Sequence, residues 1–506
     1  MEDLHVPDAW LLQIGFKLGN PFSTREASRE PEPELLQYFV QHPSFDDIMG
    51  DALHPKSSFL VAERGCGKTT TRRAIEWNCF AGRPNGLILP VSYVDFSIPL
   101  EAMNGNDQLT TDYHVAAILR EGVPLLLEKL AQTPRNIGEF SLGFRKLLSS
   151  YLVHYTNLNT DVGLDRWLRK IGYANKKISF ETLQSKNVST KDAFLRFLID
   201  LLALAPKQKI FKRESALDQM SKFVFLAELS GFKSVYILVD RLDEKEPMSS
   251  SSQEAAKLIE PLVTDLHLLE LEKMAFKFFV TPSIMDKINE HPGFRTDRLM
   301  IRHINWSEEK LQQLLDRRVE VFTQGKLPSL DVVCEPDVIG LVSKLSSLAN
   351  GSPRNMMRLA EWLLYWRHTR TLFGNEFLIS NQDLENSINS FLNESKNIAK
   401  TDKNKFQSGI WIDESAYVCR EAKKLGRLPE LQFKLLSHLI VNKGKICTYA
   451  SLRKSVYGEM VDSVEGKLGD DRIDQLIKRI RKLVEEDSKY PKYIVKVAAK
   501  GYILEE

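Results

Sequence analysis

The chain has 506 residues, of which 43% are hydrophobic and 27% are charged, and its formal net charge is +2. These values are ordinary for a soluble globular protein, and at roughly 150 residues per domain they predict about three folded units. A net charge so close to zero excludes a polycation, so any nucleic-acid-binding surface must be local. No apolar run reaches the ~20 residues that a transmembrane helix needs, and no membrane partner is expected.

The N-terminal sequence and the cysteines both favour the cytoplasm. The first residues are acidic and are not followed by an apolar run, so no signal peptide is predicted. The five cysteines are scattered and form no Cys-x-x-Cys pair. That pattern indicates a reducing compartment and no structural zinc. The sequence therefore predicts a cytoplasmic protein.

Residues 1–50 form an N-terminal segment ahead of the first clear motif. The run Gly-Asn-Pro-Phe at 19–22 is followed by acidic, proline-broken sequence and then by an apolar run at 35–40. A segment in this place can wrap the base of a nucleotide. The alternative is a simple cap on the hydrophobic core, and the sequence favours neither.

The run Leu-Val-Ala-Glu-Arg-Gly-Cys-Gly-Lys-Thr-Thr at 60–70 predicts a phosphate-binding loop between a strand and a helix. The preceding apolar residues suit a buried strand. The following residues, 69–78, lack proline and glycine and can continue as a helix. Ala62 stands where this motif usually has its first glycine.

The loop explains why these residue types occur at this spacing. Backbone N–H groups around Gly65 and Gly67 can converge on a phosphate because no side chain blocks the approach. Lys68 supplies a positive charge to the β- and γ-phosphates, and the Thr69 hydroxyl is placed to bind Mg²⁺. The expected cofactors are ATP and Mg²⁺. The predicted nucleotide-binding residues are Glu63, Arg64, Gly65, Cys66, Gly67, Lys68, Thr69 and Thr70.

Apolar strands alternate with helices in the rest of this region. A strand, or two strand pieces, is predicted at 86–96, and continuous apolar runs at 234–239 and 275–280 predict strands buried on both faces. Their polar ends indicate a parallel α/β sheet whose site lies at the carboxyl edge. The predicted domains are an ATPase core at 51–306, a large helical insertion within it at about 108–230 and a helical lid at 307–393.

Acidic residues follow the run at 234–239. Asp240 is predicted to hold Mg²⁺ through a water molecule, because a carboxylate at a strand tip suits this hard ion. Asp243 or Glu244 could act as the base, or could orient the water that attacks the γ-phosphate. The alternative is that these acids only cap the segment that follows.

Two more residues are candidates for sensing the γ-phosphate. Thr281 ends the run at 275–280, where a polar sensor would sit, but Pro282 follows it and the strand must end or bend there in any case. Arg354 begins a helix after Gly-Ser-Pro, which could bring its guanidinium to the γ-phosphate from a lid. The alternatives are simple strand termination for Thr281 and a surface arginine for Arg354.

Together these motifs resemble the STAND-type signalling ATPases and their AAA+ relatives over about residues 15–395. The sequence Asp-Arg-Leu-Asp-Glu at 240–244 is similar to a NACHT-type Walker B ending, and Asn-Gly-Ser-Pro-Arg at 350–354 is similar to the sensor-2 element that begins the lid. The resemblance implies a cycle between closed ADP and open ATP forms, and it implies a possible homo-oligomer.

A separate module is predicted at 410–506, after a polar, lysine-rich linker at 394–409. Its helix at 471–486 is amphipathic, with one apolar face. The opposite face is cationic and is predicted to contact DNA. The alternative is a charged face that is merely solvated. The residues of the cationic face are Gln475, Lys478, Arg479 and Lys482, with Arg481 at its flank.

The module closely resembles the OmpR/PhoB-type winged-helix domain of transcriptional regulators. Its first helix at 428–436, its recognition helix at 473–483 and its hairpin at 493–502 carry the likeness. The wing usually has an arginine and a glycine where Ala498 and Ala499 stand, and Lys500 could compensate. The resemblance implies DNA as the partner, and the alternative is a winged helix that docks a protein.

The predicted fold class is therefore α/β: a P-loop NTPase with a helical insertion and lid, followed by a winged helix-turn-helix. The predicted function is an ATP-dependent switch that binds DNA and hydrolyses ATP slowly. One alternative is a STAND-like sensor ATPase of a bacterial antiviral defence or stress system, whose winged helix docks nucleic acid or an effector protein. Another is an ATP-binding scaffold without turnover.

Overall fold

The structure is a computed structural model that divides into two compact units, Met1–Ser387 and Ile388–Glu506. No helix in the described part of the chain is long and apolar enough to cross a membrane. The residues described are 4, 6–23, 32–80, 87–105, 108–132, 134–156, 158, 160–173, 192–205, 214–371, 378–405, 410–412, 417–420, 423–457, 466–488, 490–497 and 500–505.

The first unit is built on a parallel sheet of five strands in the order β2-β3-β4-β1-β5. The order places β4 between the strand that precedes the glycine-rich loop and the strand that ends at Asp240. The predicted parallel α/β sheet is thus confirmed. The strands are β1 Ser58–Val61, β2 Ile88–Tyr93, β3 Ser234–Val239, β4 Met274–Val280 and β5 Met300–His303.

The central strands are apolar throughout because both faces of the sheet are covered. Side chains alternate between the faces, so Phe59 and Val61 of β1 join one core and Leu60 joins the other. The first core is shared with the helices of the insertion. The second is shared with the helix after the glycine-rich loop, through Ala74 and Ile75.

Helices cover both faces, and the predicted insertion between β2 and β3 is helical. Several begin at a capping side chain, such as Ser141, which accepts a hydrogen bond from the Phe144 N–H at 3.2 Å. The helices before the insertion are α1 Asp8–Gln13, α2 Glu32–Gln37, α3 Phe45–Met49, α4 Lys68–Phe80 and α5 Ser97–Asn104. Those of the insertion are α6 Thr111–Gln132, α7 Leu142–Tyr155, α8 Asp161–Lys170, α9 Ala193–Ala203 and α10 Ala216–Leu229, with a 3₁₀ turn at Pro134–Glu139.

The remaining helices of the first unit follow β3, β4 and β5. They are α11 Ser252–Thr264, α12 Leu266–Leu269, α13 Pro282–Asn289, α14 Glu308–Phe322, α15 Leu341–Leu348, α16 Pro353–Thr371 and the start of α17 Asn381–Lys405, with a 3₁₀ turn at Leu330–Val333.

Helix α17 covers most of the predicted linker. It runs through Lys405 and therefore includes most of the segment 394–409, which was predicted as a linker from its polar, lysine-rich sequence. No glycine or proline interrupts residues 381–405, and polar residues alone do not end a helix. Residues 406–409 lie outside the described part of the chain.

In the described residues of the second unit there are two small antiparallel sheets and, after α17, three helices. One sheet contains β6 Ile410–Ile412, β7 Val418–Arg420 and β8 Lys423–Gly426, and the other contains β9 Cys447–Thr448, β10 Ile494–Val497 and β11 Gly501–Leu504. The helices are α18 Glu430–Val441, α19 Tyr449–Tyr457 and α20 Gly466–Val484.

The core of this unit forms on the predicted apolar face of α20. Ile473, Ile477 and Ile480 are fully buried against α18 and the strands. The hairpin pairs Val497 with Gly501, which is close to the predicted turn. Gly501 has a φ of +143°, and a Cβ there would collide with the carbonyl of Cys447. Only glycine therefore fits at this position, where β11 pairs with β9.

Candidate functional site

The loop between β1 and α4 is shaped by two glycines. Gly65 and Gly67 have φ values of +85° and +96°, in the left-handed region that glycine adopts without strain. A Cβ on Gly65 would lie 2.8 Å from the Cβ of Arg354. The loop is thus a tight backbone turn at the N-terminus of a helix, an arrangement that presents N–H groups to an anion.

Lys68 lies within this loop. Its Nζ donates to the carbonyls of Ala62 at 2.9 Å and Glu63 at 3.3 Å. Burial lowers the pKa of Lys68, and the negative charges of Asp243 and Asp240 partly oppose that shift. Its ammonium is therefore held at the centre of the loop, at the point where the sequence predicted a phosphate contact.

Asp240 lies behind the loop and is held by a network of hydrogen bonds. Asp240 is 1% exposed, and its Oδ2 accepts from Nε of Arg72 at 3.1 Å while its Oδ1 accepts from the N–H of Arg241 at 2.9 Å. Arg72 also donates to Ser92 Oγ at 2.6 Å and pairs with Glu76 at 2.8 Å. A buried carboxylate needs such partners, because desolvation of an unpaired charge is costly.

The sequence did not identify Arg72 as part of the site. It lies one turn into α4, on the side that packs on the sheet, and its partner is far away in sequence. The only available signal was its i, i+4 spacing to Glu76 on α4.

The two other predicted acids also have cationic partners. Arg64 donates to the carboxylate of Asp243 at 2.8 Å, from the tip of the glycine-rich loop. Arg241 lies 3.5 Å from the carboxylate of the exposed Glu244. Asp240 does accept a hydrogen bond from the N–H of the next residue, Arg241, but the next helix, α11, is capped by Ser251.

These groups surround one cavity of about 480 Å³ at the carboxyl edge of the sheet. Its polar part is lined by the glycine-rich loop and the acids. Apart from Arg318, its other part is apolar and aromatic. The polar lining comprises Arg64, Gly65, Gly67, Lys68, Thr69, Thr70, Thr71, Asp240, Asp243, Glu244, Ser249 and Arg354. The rest of the lining is Leu35, Tyr38, Phe39, Val40, Trp306, Leu314, Arg318, Pro353 and Met357.

The N-terminal segment therefore contributes to the cavity as well as to the core. Tyr38 and Phe39 line it, and the guanidinium of Arg318 lies 4.4 Å from the centre of the Tyr38 ring. Trp306 donates its indole N–H to the Cys66 carbonyl at 2.9 Å. Neither Trp306 nor Arg318 was identified from the sequence, because no local motif surrounds them.

Of the remaining predicted residues, Arg354 lines the cavity and Thr281 does not. Arg354 lines the cavity, and its N–H donates to the Gly65 carbonyl at 3.3 Å. Thr281 ends β4 and is buried, with its hydroxyl 3.1 Å from Ser283 Oγ, and it lies outside the lining of the cavity. Glu63 is exposed beside the cavity. Burial raises the pKa of the Cys66 thiol, which keeps it protonated.

In the second unit, the cationic face of α20 is exposed. Gln475, Lys478, Arg479 and Lys482 all point to solvent. Lys500 is exposed at the turn between β10 and β11, and the preceding Ala498 and Ala499 lie outside the described residues.

Arg481 does not belong to this face. Its Nε and Nη2 donate to the Ile494 carbonyl at 3.0 and 2.6 Å, and its guanidinium lies 5.5 Å from the centre of the Tyr502 ring. It is directed toward the wing because β10 packs along that side of the helix. Arg481 therefore links the wing to α20 at the flank of the cationic face, and its contact with DNA stays a prediction.

The sheet order, the loop and the cavity are those of a P-loop NTPase fold, and the second unit contains a winged-helix domain. Sequence comparison agrees for a segment of each unit. Residues 20–93 match the ORC-CDC6-like family, and residues 423–504 match the family described as transcriptional regulatory protein, C terminal. The predicted P-loop and OmpR/PhoB-type assignments are thereby confirmed.

Two solved structures are similar to this chain only at low identity. The Orc1 protein of Aeropyrum pernix, solved in complex with DNA, is 11% identical over 94% of this chain and 93% of its own, with a TM-score of 0.32. Cdc6p from Pyrobaculum aerophilum is 13% identical over 91% and 89%, with a TM-score of 0.28. Scores this low establish no shared arrangement. No curated protein sequence matches significantly. The NACHT-type likeness stays a prediction.

Proposed function

We propose that the first unit binds ATP with Mg²⁺ and the second binds DNA, so that the chain is a nucleotide-dependent DNA-binding regulator. The observation that carries this proposal is the cavity in which the glycine-rich loop, Asp240 and Arg354 meet. Its volume of about 480 Å³ lies within the range of cofactor sites.

The two parts of the cavity suit the two ends of a nucleotide. The phosphates would lie on the N–H groups of the loop, with Lys68 and Arg354 supplying positive charge. The base would lie among Tyr38, Phe39 and Trp306, because aromatic faces bind planar rings. We therefore assign the adenine base to the part of the cavity that the N-terminal segment lines.

The residues present also fit Mg²⁺. Thr69 and Asp240 both line the cavity. No group of three or more His, Cys, Asp or Glu side chains in the described part of the chain could hold a metal alone. That suits an ion held mostly by phosphate oxygens and water. When bound, Mg²⁺ would neutralise charge on the phosphates, while Asp240, fixed by Arg72, would orient one of its waters.

Hydrolysis is the part of the proposal that the two acids near the loop support. We expect Asp243→Asn or Glu244→Gln to bind ATP at least as tightly as the unsubstituted protein but to hydrolyse it at least about a hundredfold more slowly. Each amide keeps the size of the side chain and removes its ability to accept a proton. Phosphate release under single-turnover conditions measures the effect, and equilibrium titration with ATP measures the binding.

The outcome also tests a second candidate function, an ATP-binding scaffold without turnover. The pair between Arg64 and Asp243 favours it, because Arg64 occupies a carboxylate oxygen that would have to accept a hydrogen bond from the attacking water. If the unsubstituted protein binds ATP but releases no phosphate, even with DNA present, the scaffold is the better account. If both amide variants hydrolyse ATP normally, the catalytic group is neither of these acids.

DNA binding is supported by the cationic face of α20 within a winged-helix fold. Its exposed lysines and arginine would contact phosphates, and Gln475 could reach a base edge. Lys500 at the tip of the hairpin would add one backbone contact.

A further inference from the structure

The side chain of Arg64 crosses from the glycine-rich loop to the loop after β3. Its Nε donates to Asp243 Oδ2 at 2.8 Å, and its Nη2 donates to the carbonyls of Asp243 at 2.5 Å and Ser249 at 3.4 Å. All three residues line the cavity. Arg64 thus joins the two loops between which the proposed phosphates would lie.

The ion pair is of a kind that an anion can displace. The Arg64 side chain is 54% exposed, whereas that of Asp243 is 13% exposed. A pair with so exposed a partner gains little net free energy, because water competes for the guanidinium. Phosphate oxygens form paired, charge-assisted hydrogen bonds with a guanidinium, and these are stronger.

Two neighbouring cations, Lys68 and Arg72, are buried rather than exposed. The ammonium of Lys68 is buried on the carbonyls of Ala62 and Glu63. Arg72 is buried against Asp240. Arg64 differs from both because it is solvent-exposed and is held mainly by one acid.

We propose that Arg64 determines specificity for a nucleoside triphosphate over a diphosphate. This inference rests on the proposed ATP site. When a triphosphate binds, the guanidinium exchanges the Asp243 carboxylate for oxygens of the terminal phosphate. A diphosphate has no group at that position, so Arg64 stays on Asp243 and on the Ser249 carbonyl.

The exchange has a consequence for Asp243. Once Arg64 has moved to the phosphate, the carboxylate loses its counter-ion and can accept a hydrogen bond from water. The loop that carries Ser249 also loses its link to the glycine-rich loop. The same arginine therefore connects the presence of a third phosphate to the state of the acidic loop.

The test is the ratio of triphosphate to diphosphate affinity in the full-length Arg64→Gln variant. ADP and the non-hydrolysable β,γ-imido analogue of ATP are titrated in the presence of Mg²⁺, with heat or ligand fluorescence as the readout. We expect the unsubstituted protein to prefer the triphosphate about tenfold, and the variant to lose that preference while ADP affinity changes less than about twofold. Asp243→Asn should strengthen triphosphate binding, because it removes the competing acid.

Arg302→Gln is the matched control. Arg302 lies on β5, outside the lining of the cavity, and forms an exposed ion pair with Asp47 of α3, so its loss should change neither affinity. A folded Arg64→Gln variant that keeps the full preference overturns the proposal, and so does equal weakening of both nucleotides, which would indicate a structural role. If the unsubstituted protein binds neither nucleotide, the proposed function itself fails.

Discussion

Replacement of Lys68 by alanine is expected to weaken ATP binding by at least about a hundredfold. The lysine contributes a buried charge at the centre of the glycine-rich loop, where its ammonium is bound to loop carbonyls, and the proposed phosphates would contact it there. A charge-assisted hydrogen bond to phosphate is stronger than a neutral one, so its loss cannot be replaced by water. Titration of ATP–Mg²⁺ into the purified variant measures the loss.

The fold should survive this substitution. Lys68 contacts loop carbonyls and not the apolar cores on either side of the sheet, so the thermal unfolding midpoint without nucleotide should change little. Lys257→Ala, at an exposed lysine on α11, serves as the control and should bind ATP normally. Retained ATP affinity in a folded Lys68→Ala protein would contradict the assignment of the loop.

The second large effect concerns DNA. Replacing Lys478, Arg479 and Lys482 together by alanine should abolish duplex binding at moderate salt. Each lost phosphate contact lowers the slope of log affinity against log salt by roughly 0.9. The three side chains are exposed on one face of α20, so their removal should not disturb the apolar face that holds the unit together. Fluorescence anisotropy at several salt concentrations measures both affinity and slope.

A charge-matched control separates local contacts from net charge. Alanine at Lys257, Lys326 and Lys344 removes the same charge from exposed positions of the first unit and should leave DNA affinity nearly unchanged. ATP binding should be normal in both triple variants. If the α20 variant binds duplexes as well as the control does, the winged helix does not bind DNA through this face, and protein docking becomes the better account.

What the sequence could predict was local. The glycine-rich loop follows from a short motif whose glycines have a backbone requirement, and both have the expected positive φ. The strands follow from continuous apolar runs, because a sheet covered on both faces needs them. The apolar face of α20 follows from helical spacing.

The remainder depended on contacts between distant segments. The pairing of Asp240 with Arg72 exists only because α4 packs behind the end of β3. Arg481 was predicted at the flank of the cationic face, but its hydrogen bond to the hairpin could not be predicted, because it joins distant segments. The segment 394–405 was predicted as a linker from its polarity, and its helix was not, because helix formation there needs only the absence of breakers.

The central claim is that nucleotide state controls DNA binding, and one measurement tests it most directly. The affinity of the full-length protein for a duplex is compared without nucleotide, with ADP and with the β,γ-imido analogue of ATP, all with Mg²⁺ at fixed salt. We expect the triphosphate and diphosphate forms to differ by about fivefold or more, and Lys68→Ala to show no difference. Equal DNA affinity in all three conditions, from a protein that binds both nucleotides, would contradict the claim.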